Sequence, residues 1–381
     1  MLSNTFRRWR KFVVIAGTAS GLLAATACQN PAPNSGAASV IEKILDSVLH
    51  AGFPGAQAVV SDPSATHTYT AGAAFPDDAR IRIGSNTKTF VATVVLQLST
   101  EGRVNLDAPI EQYLPGLIQG NGNDGNRITV RQLLQHTSGL PDYLGTADPA
   151  AHNRPEQVNP LADASRRRHY EPADLVRVAM TMPPRFEPGA RSVYTNTNYI
   201  VLGMLIERVT GQTAAAAIEG RINEPLGLRN TYFPAAGEIG IRDPHPIGYQ
   251  RIDGKTIDFT DLDPSWGGTA GAMISTGAEL NRFFSALLSG KLLAADQLAQ
   301  MQRTMPFDRS QTDGYGLGLI HHPSSCGKES WGHGGSIPGF QTANGRRSDG
   351  TALTFIVNQM PADEDQSKAF DKAFDELMCT A

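Results

Sequence analysis

The sequence predicts an α+β fold: an antiparallel sheet flanked by helices and interrupted by a mainly helical insertion. Two observations carry this. Strand signals cluster near both ends of the 381-residue chain, each cluster beside an amphipathic helix, and the long middle reads as helix and loop. The composition, 40% hydrophobic and 18% charged, is that of a chain able to bury a substantial core. No repeat at solenoid or propeller periods is evident.

The N-terminus stands apart from the fold. A basic stretch, "FRRWRK", precedes the apolar run "FVVIAGTASGLLAATA" over residues 12–27. That run is shorter than the roughly 20 residues of a membrane span and reads as an export signal over residues 1–27. It ends in Ala25-Thr26-Ala27, directly before Cys28. A cysteine there resembles the lipid-modified first residue of a bacterial lipoprotein; with Ala25 where leucine is usual, plain cleavage with a free Cys28 is the alternative. Arg7-Arg8 also fits twin-arginine export. Without the four basic residues of the leader (Arg7, Arg8, Arg10, Lys11), 29 basic residues stand against 37 acidic, a net charge of -8. That argues against a nucleic-acid partner. Export also bears on the other two cysteines, Cys326 and Cys379, an even pair that an oxidising compartment would join. Two separate buried thiols are the alternative.

Residues 28–38, "CQNPAPNSGAA", read as a tether. "SVIEKILDSVLHAG" then gives a helix, with Ser39 as cap, Val40, Ile41, Ile44, Leu45 and Val48 at helical spacing, and Gly52 as stop. "GAQAVVSDPSATHTYTAG" reads as two strands about a proline turn, and "ARIRIG" as a third. At the other end "HGGSIPGFQTANGRRSDGTALTFIVNQ" carries strands with an Asp349-Gly350 turn, followed by the helical stripe Phe370, Ala373, Phe374 and Leu377. The sheet domain is therefore expected from 39–100 with 265–381, and the helical insertion from 101–264. Within the insertion, residues 144–169 show little periodicity and read as a long loop. Its run Arg166-Arg167-Arg168 reads as a solvated face.

Chemistry concentrates in three places. "RIGSNTKTF" holds Ser85 and, three residues on, Lys88, where a strand gives way to the apolar helix "TFVATVVLQLSTEG". One turn apart on a helix, the two share a face. A serine hydroxyl needs a neighbouring base or positive field to become a nucleophile. A Ser cap with a snorkelling lysine is the bland alternative, and on this motif alone the favoured one. The chain also holds a second Ser-x-x-Lys, Ser325 to Lys328, with no helix under it. Tyr194-x-Asn196 follows about a hundred residues later; on extended backbone the two side chains point the same way. An ammonium beside Tyr194 would favour its phenolate, which could carry the Ser85 proton, and Asn196 could hold a substrate amide. "WGHGGSIPGF" places His333, Gly334 and Gly335 on a strand, where glycines admit close approach of a ligand.

Ser-x-x-Lys, Tyr-x-Asn and His-x-Gly in this order resemble the three motifs of the penicillin-recognising serine enzymes. Within them the chain is similar to the branch of class C β-lactamases and exocellular D-alanyl-D-alanine carboxypeptidases. "ITVRQLLQHTSGLPDY", "YTNTNYIVLGMLIERVTG", "FFSALLSGKLLAADQLAQMQ" and "GYGLGL" extend the likeness over nearly the whole mature chain. The resemblance implies a β-lactamase/transpeptidase-like fold with Ser85 as acylated nucleophile, Lys88 as its partner and Tyr194 as general base and acid. It makes Asn196 and His333 substrate contacts and the backbone N–H groups of Ser85 and Ser336 the oxyanion hole. Trp266 corresponds to an aromatic lining the cleft, or else to core, and His136 reads as structural. A Cys326–Cys379 pairing is implied as well. The expected activity is that of a D-Ala-D-Ala carboxypeptidase acting on peptidoglycan-type peptides, exported and held at the membrane through lipid on Cys28. A β-lactamase, an esterase and a penicillin-binding sensor without turnover are the alternatives. No cofactor or metal is expected.

The chain departs from the carboxypeptidases in one place. Where they grip the substrate's terminal carboxylate with an arginine after "GLGL" and a threonine in the third motif, this sequence has Ile320 and Gly334. Other hydrolase signatures are missing: no Gly-x-Ser-x-Gly elbow occurs, nor a His-Glu-x-x-His zinc motif, and the adjacent His321 and His322 would point to opposite faces of a strand.

Overall fold

The computed structural model describes residues 35–145, 156–307 and 313–380. The leader and Cys28 lie outside them, as does part of the long loop read over 144–169. Helix begins at Ser35, so the last four residues of the stretch read as tether are helical. Ala37 and Ala38, strong helix formers, extend the helix ahead of the expected Ser39 cap.

Among the described residues eight strands form one antiparallel sheet. Their order is Thr66–Gly72, Gly55–Ser61, Ala352–Val357, Phe340–Arg347, Glu329–Ile337, Ile320–Pro323, Gly314–Tyr315, Met305–Pro306. The two chain ends thus meet inside one sheet, Val59 opposite Thr354 and Ala58 opposite Phe355. The inner strands are buried on both faces, which is why they read as near-continuous apolar runs. On one face the helices Ser35–His50 and Glu364–Thr380 press Ile41, Leu45, Val48, Phe370 and Leu377 onto Ala58, Phe355 and Val357. On the other lies Gly277–Leu288, capped by Thr276, whose side chain accepts from the Glu279 N–H. Its first residue has no room for a side chain: a Cβ on Gly277 would stand 2.6 Å from Val59. Asn281 pins this helix to the sheet, donating to Val59 O at 2.9 Å and accepting from Thr354 Oγ1 at 2.7 Å.

The helix Thr87–Thr100 lies in the middle of the helical layer, buried along almost its whole length, with Phe90 stacked 3.7 Å from Phe283. The strand expected in "ARIRIG" forms, but Ile81–Arg82 pairs with Ile274–Ser275 rather than joining the large sheet. Arg82 accounts for its position. Fully buried, it donates through Nη2 to the carbonyls of Ile239, Thr260 and Leu262, tying the strand to the insertion; burial pushes its guanidinium down to about 10. Arg166 corrects a reading in the same region. Instead of joining a solvated face with Arg167 and Arg168, it bonds Asp258 O and Asp261 O at 2.8 Å and covers the Phe259 ring. A disulfide joins Cys326 to Cys379, closing the C-terminal helix onto the hairpin before Glu329–Ile337.

Candidate active site

The Ser85 turn is held by glycines and by one asparagine. Gly84–Asn86 is a single turn of 3-10 helix leading into Thr87–Thr100. It packs against the strand Glu329–Ile337 so closely that a Cβ on Gly335 would stand 2.0 Å from Ile83 O, and one on Gly84 2.9 Å from the backbone nitrogen of Ser336. Glycine is required at both positions, and at Gly84 φ is +50° as well. Asn86, buried, donates to Ile83 O at 2.8 Å and to Thr342 Oγ1 at 2.7 Å, while Asn344 donates to its Oδ1. Ser85 and Ser336 thereby line the same cavity. Pairing with Ile320–Pro323 ends at Gly332, so among the described residues His333 to Ile337 have no strand neighbour on that side.

Lys88 is buried and spends each of its three ammonium protons on a different acceptor: Ser85 Oγ at 3.0 Å, Asn196 Oδ1 at 2.9 Å and Ala270 O at 2.7 Å. Its nitrogen lies 4.7 Å from the Tyr194 ring centroid and 5.6 Å from that of Tyr199. Burial, opposed by the bond with Tyr315, drives the Tyr199 phenol far above its ordinary range; its hydroxyl donates to Leu134 O. Tyr143 is likewise driven up, by burial first and Asp142 second, and donates to Trp266 O at 2.5 Å. Of these three tyrosines only Tyr194 lines the cavity at Ser85.

Asn196 opens the helix Asn196–Thr210, just after the extended Thr195. Asp142 sets its amide: Asp142 Oδ2 accepts from both the N–H and Nδ2 of Asn196, so Oδ1 can only turn toward Lys88. Sequence reasoning passed over Asp142, although the stretch "GLPDY" contains it. Nor did it single out Asn86, inside the first motif. His136 is buried at φ +59° with its ring 4.2 Å from Tyr194; Nδ1 accepts from the Thr195 N–H, so the imidazole buttresses the tyrosine. His333 lines the cavity, but both of its ring nitrogens have partners within the protein, Gly334 O at 2.6 Å and the Tyr315 hydroxyl at 3.1 Å. A carbonyl only accepts, so the proton sits on Nδ1.

The cavity is about 240 Å³ and is lined by Ser85, Tyr194, Asn196, His333, Gly334 and Ser336, together with Trp266 and Ile320. Trp266 answers both readings given to it, for it is buried and faces the cavity. The second Ser-x-x-Lys pair is structural: Ser325 bonds the Asp375 carboxylate, and Lys328 donates to Cys379 O at 2.9 Å. A serine held by a buried lysine, in a cavity that a phenol also lines, is equipped for acyl transfer.

Comparison with known proteins agrees with that chemistry. The family model described as Beta-lactamase matches residues 37–377. Among solved structures, a D-stereospecific amidohydrolase from a Streptomyces species superposes with TM-score 0.80 at 40% identity, covering 88% of this chain and 97% of that one. The D-amino acid amidase of Ochrobactrum anthropi gives 0.75 at 28%, covering 91% and 98%. The esterase EstB of Burkholderia gladioli is 33% identical over 168 residues, 44% of this chain and 41% of its own. The chain spans at most 61% of the length of the curated relatives it matches first.

Proposed function

The chain belongs to the beta-lactamase family and is a serine hydrolase, and from that premise we propose that it hydrolyses amides and esters of short substrates built on D-amino acids, through an acyl-enzyme on Ser85. The observation that carries this over a strict carboxypeptidase is Ile320. Buried in the cavity wall among Tyr194, Tyr315 and Phe307, it offers a terminal carboxylate no cation, and an unpaired desolvated carboxylate is costly. The likeness to D-specific amidases supports the same reading.

In this mechanism Ser85 Oγ attacks the acyl carbonyl while its proton passes to Tyr194, with Lys88 supplying positive charge beside both. The carbonyl oxygen becomes an oxyanion between the N–H groups of Ser85 and Ser336. Collapse breaks the bond to the leaving nitrogen or oxygen, which takes the proton from Tyr194. Water then attacks the Ser85 ester by the same route, Tyr194 accepting its proton and passing it to Ser85 Oγ as the acyl–oxygen bond breaks and the acid is released. Steady-state rates on D- and L-alanine amides, their methyl esters and a D-alanyl-D-alanine acid test the assignment. D over L preference with turnover of the amide or ester is the expected result. Turnover of the free acid alone would return the enzyme to the carboxypeptidases, and penicillin labelling without turnover of any substrate would make it a sensor.

We also propose export with lipid on Cys28, motivated by the short apolar run that ends there. Mass spectrometry of native protein is expected to find a modified N-terminal Cys28; an unmodified N-terminus downstream of it refutes the anchor.

A further inference from the structure

The cavity at Ser85 does not stand alone. A second one, about 420 Å³, adjoins it, and the two share Phe307, Ile320, Gly334 and Gln341 in their walls. The second cavity reaches Phe370 and Phe374 of the C-terminal helix. Asp313, Asp371 and Asp375 line it, with His322 Nδ1 at 3.2 Å from Asp313 Oδ2, and among the described residues no Lys or Arg does. At the junction sits Gln341, directly across the sheet from Ser336. Among the described residues its buried Oε1 has no hydrogen-bond partner.

We infer that the junction is a leaving-group subsite in which Gln341 hydrogen-bonds a neutral amide of the departing fragment, either a terminal carboxamide or the next peptide unit. The inference rests on the Ser85 hydrolase reading above and specifies its substrate. A carboxamide group carries donors and an acceptor, so it complements a peptide unit on both counts. It cannot replace the cation that a carboxylate needs once it leaves water. Ile320 supplies none, and the acidic residues beyond repel a second negative charge. A polar atom buried without a partner costs free energy in the empty site, and a substrate amide would recover it. The room beyond Gln341 lets the leaving fragment extend past one residue. The chemistry is unchanged: the acyl–nitrogen bond breaks, the fragment departs as an amine carrying the proton from Tyr194, and the acyl group stays on Ser85.

The test compares kcat/KM for a D-alanyl-D-alanine acid, its C-terminal carboxamide and D-alanine methyl ester in the purified protein. Wild type is expected to favour the carboxamide over the acid by about tenfold, the size of one net hydrogen bond. Gln341→Leu should reduce that preference severalfold, leaving only the part owed to Ile320 and to the acidic residues. Gln341→Glu, which keeps the shape and adds a charge that repels the acid, should keep the acid disfavoured, and it serves if the leucine variant does not fold. An unchanged ratio in Gln341→Leu overturns the subsite, as does a wild-type preference for the acid. Failure of wild type to hydrolyse any of the three compounds defeats the hydrolase reading instead, so the two failures are told apart.

Discussion

One carboxylate oxygen, Asp142 Oδ2, accepts two hydrogen bonds from Asn196, one from the backbone N–H and one from Nδ2, each 3.0 Å long. The pair fixes the asparagine amide, which in turn holds the Lys88 ammonium at 2.9 Å. Asp142 thus reaches Lys88 through Asn196 and acts by positioning. Asp142→Ala should lower kcat by on the order of 100-fold, as small misplacements of reacting groups do, with a smaller change in KM. Asp142→Asn, which keeps an acceptor, should recover part of the loss. Equal effects of the two variants on kcat and on KM would make the residue merely structural.

Ser85 itself gives a sharper test. A labelled penicillin should attach to Ser85, and Ser85→Ala should lose the label while its thermal melt is preserved. Peptide mapping that finds the label on Ser325 would overturn the mechanism; that serine is tied to Asp375 in the structure.

Ile320→Arg should create the grip that the cavity lacks. Its guanidinium would add charge-assisted hydrogen bonds to a terminal carboxylate. An increase of about tenfold in kcat/KM for a D-alanyl-D-alanine acid is expected. Adding Gly334→Thr should help less than the resemblance alone suggests, because a Cβ there stands 3.1 Å from Thr342 O and the strand must yield. A wild-type enzyme that already prefers the free carboxylate to its methyl ester would sink this account of Ile320.

The disulfide predicts a separation between stability and activity. Joining Cys326 to Cys379 closes a loop 53 residues long in sequence, worth about 4 kcal/mol in the chain-entropy model. The double Cys→Ser variant should melt earlier by a corresponding amount and still react with penicillin. Alkylation of both thiols in freshly isolated native protein would contradict the bond.

Asp371 gives a pH dependence with a definite sign. Burial, and Asp313 after it, raise the Asp371 carboxyl above its ordinary value of 3.8, against the opposing pull of His322. The folded state therefore holds this proton more tightly than the unfolded chain. The stabilisation is full below pH 3.8, disappears as pH rises through the folded value, and is absent at neutrality. Asp371→Asn should raise the melting temperature at pH 7 and leave little difference at pH 3. The residue keeps contact with solvent, so the effect is small. A neutral-pH melt lower in the variant would reverse the sign.

The legible part of this protein was written in local patterns. Val91, Val94, Val95 and Leu98 announce the buried helix under Ser85, and the apolar strands near each end announce a sheet covered on both faces. Three short motifs located Ser85, Tyr194, Asn196 and His333, which line one cavity, and Lys88, which donates to Ser85 Oγ. What stayed hidden depends on contacts between distant segments. Nothing near Asp142 says that its partner lies 54 residues on, and Asn86 reads as one more polar residue until Thr342 and Asn344 arrive from the far end of the chain. Ile81–Arg82 was legible as a strand but not its choice of sheet, because a buried arginine seeking carbonyls made that choice.

Gly84 and Gly335 interlock so tightly that neither the Ser85 turn nor the strand beside it has its final shape without the other. They are also about 250 residues apart, and the sheet that carries the strand is completed only when Gly55–Ser61 finds Ala352–Val357. During synthesis, then, the nucleophile's helix emerges early, but the strand that carries Ser336 follows only about 250 residues later. The growing chain should therefore be chemically silent until those later strands have closed. Chains stopped before Gly332 should take up no labelled penicillin however long they are incubated, whereas labelling of such fragments would show that the two halves of the site do not depend on each other.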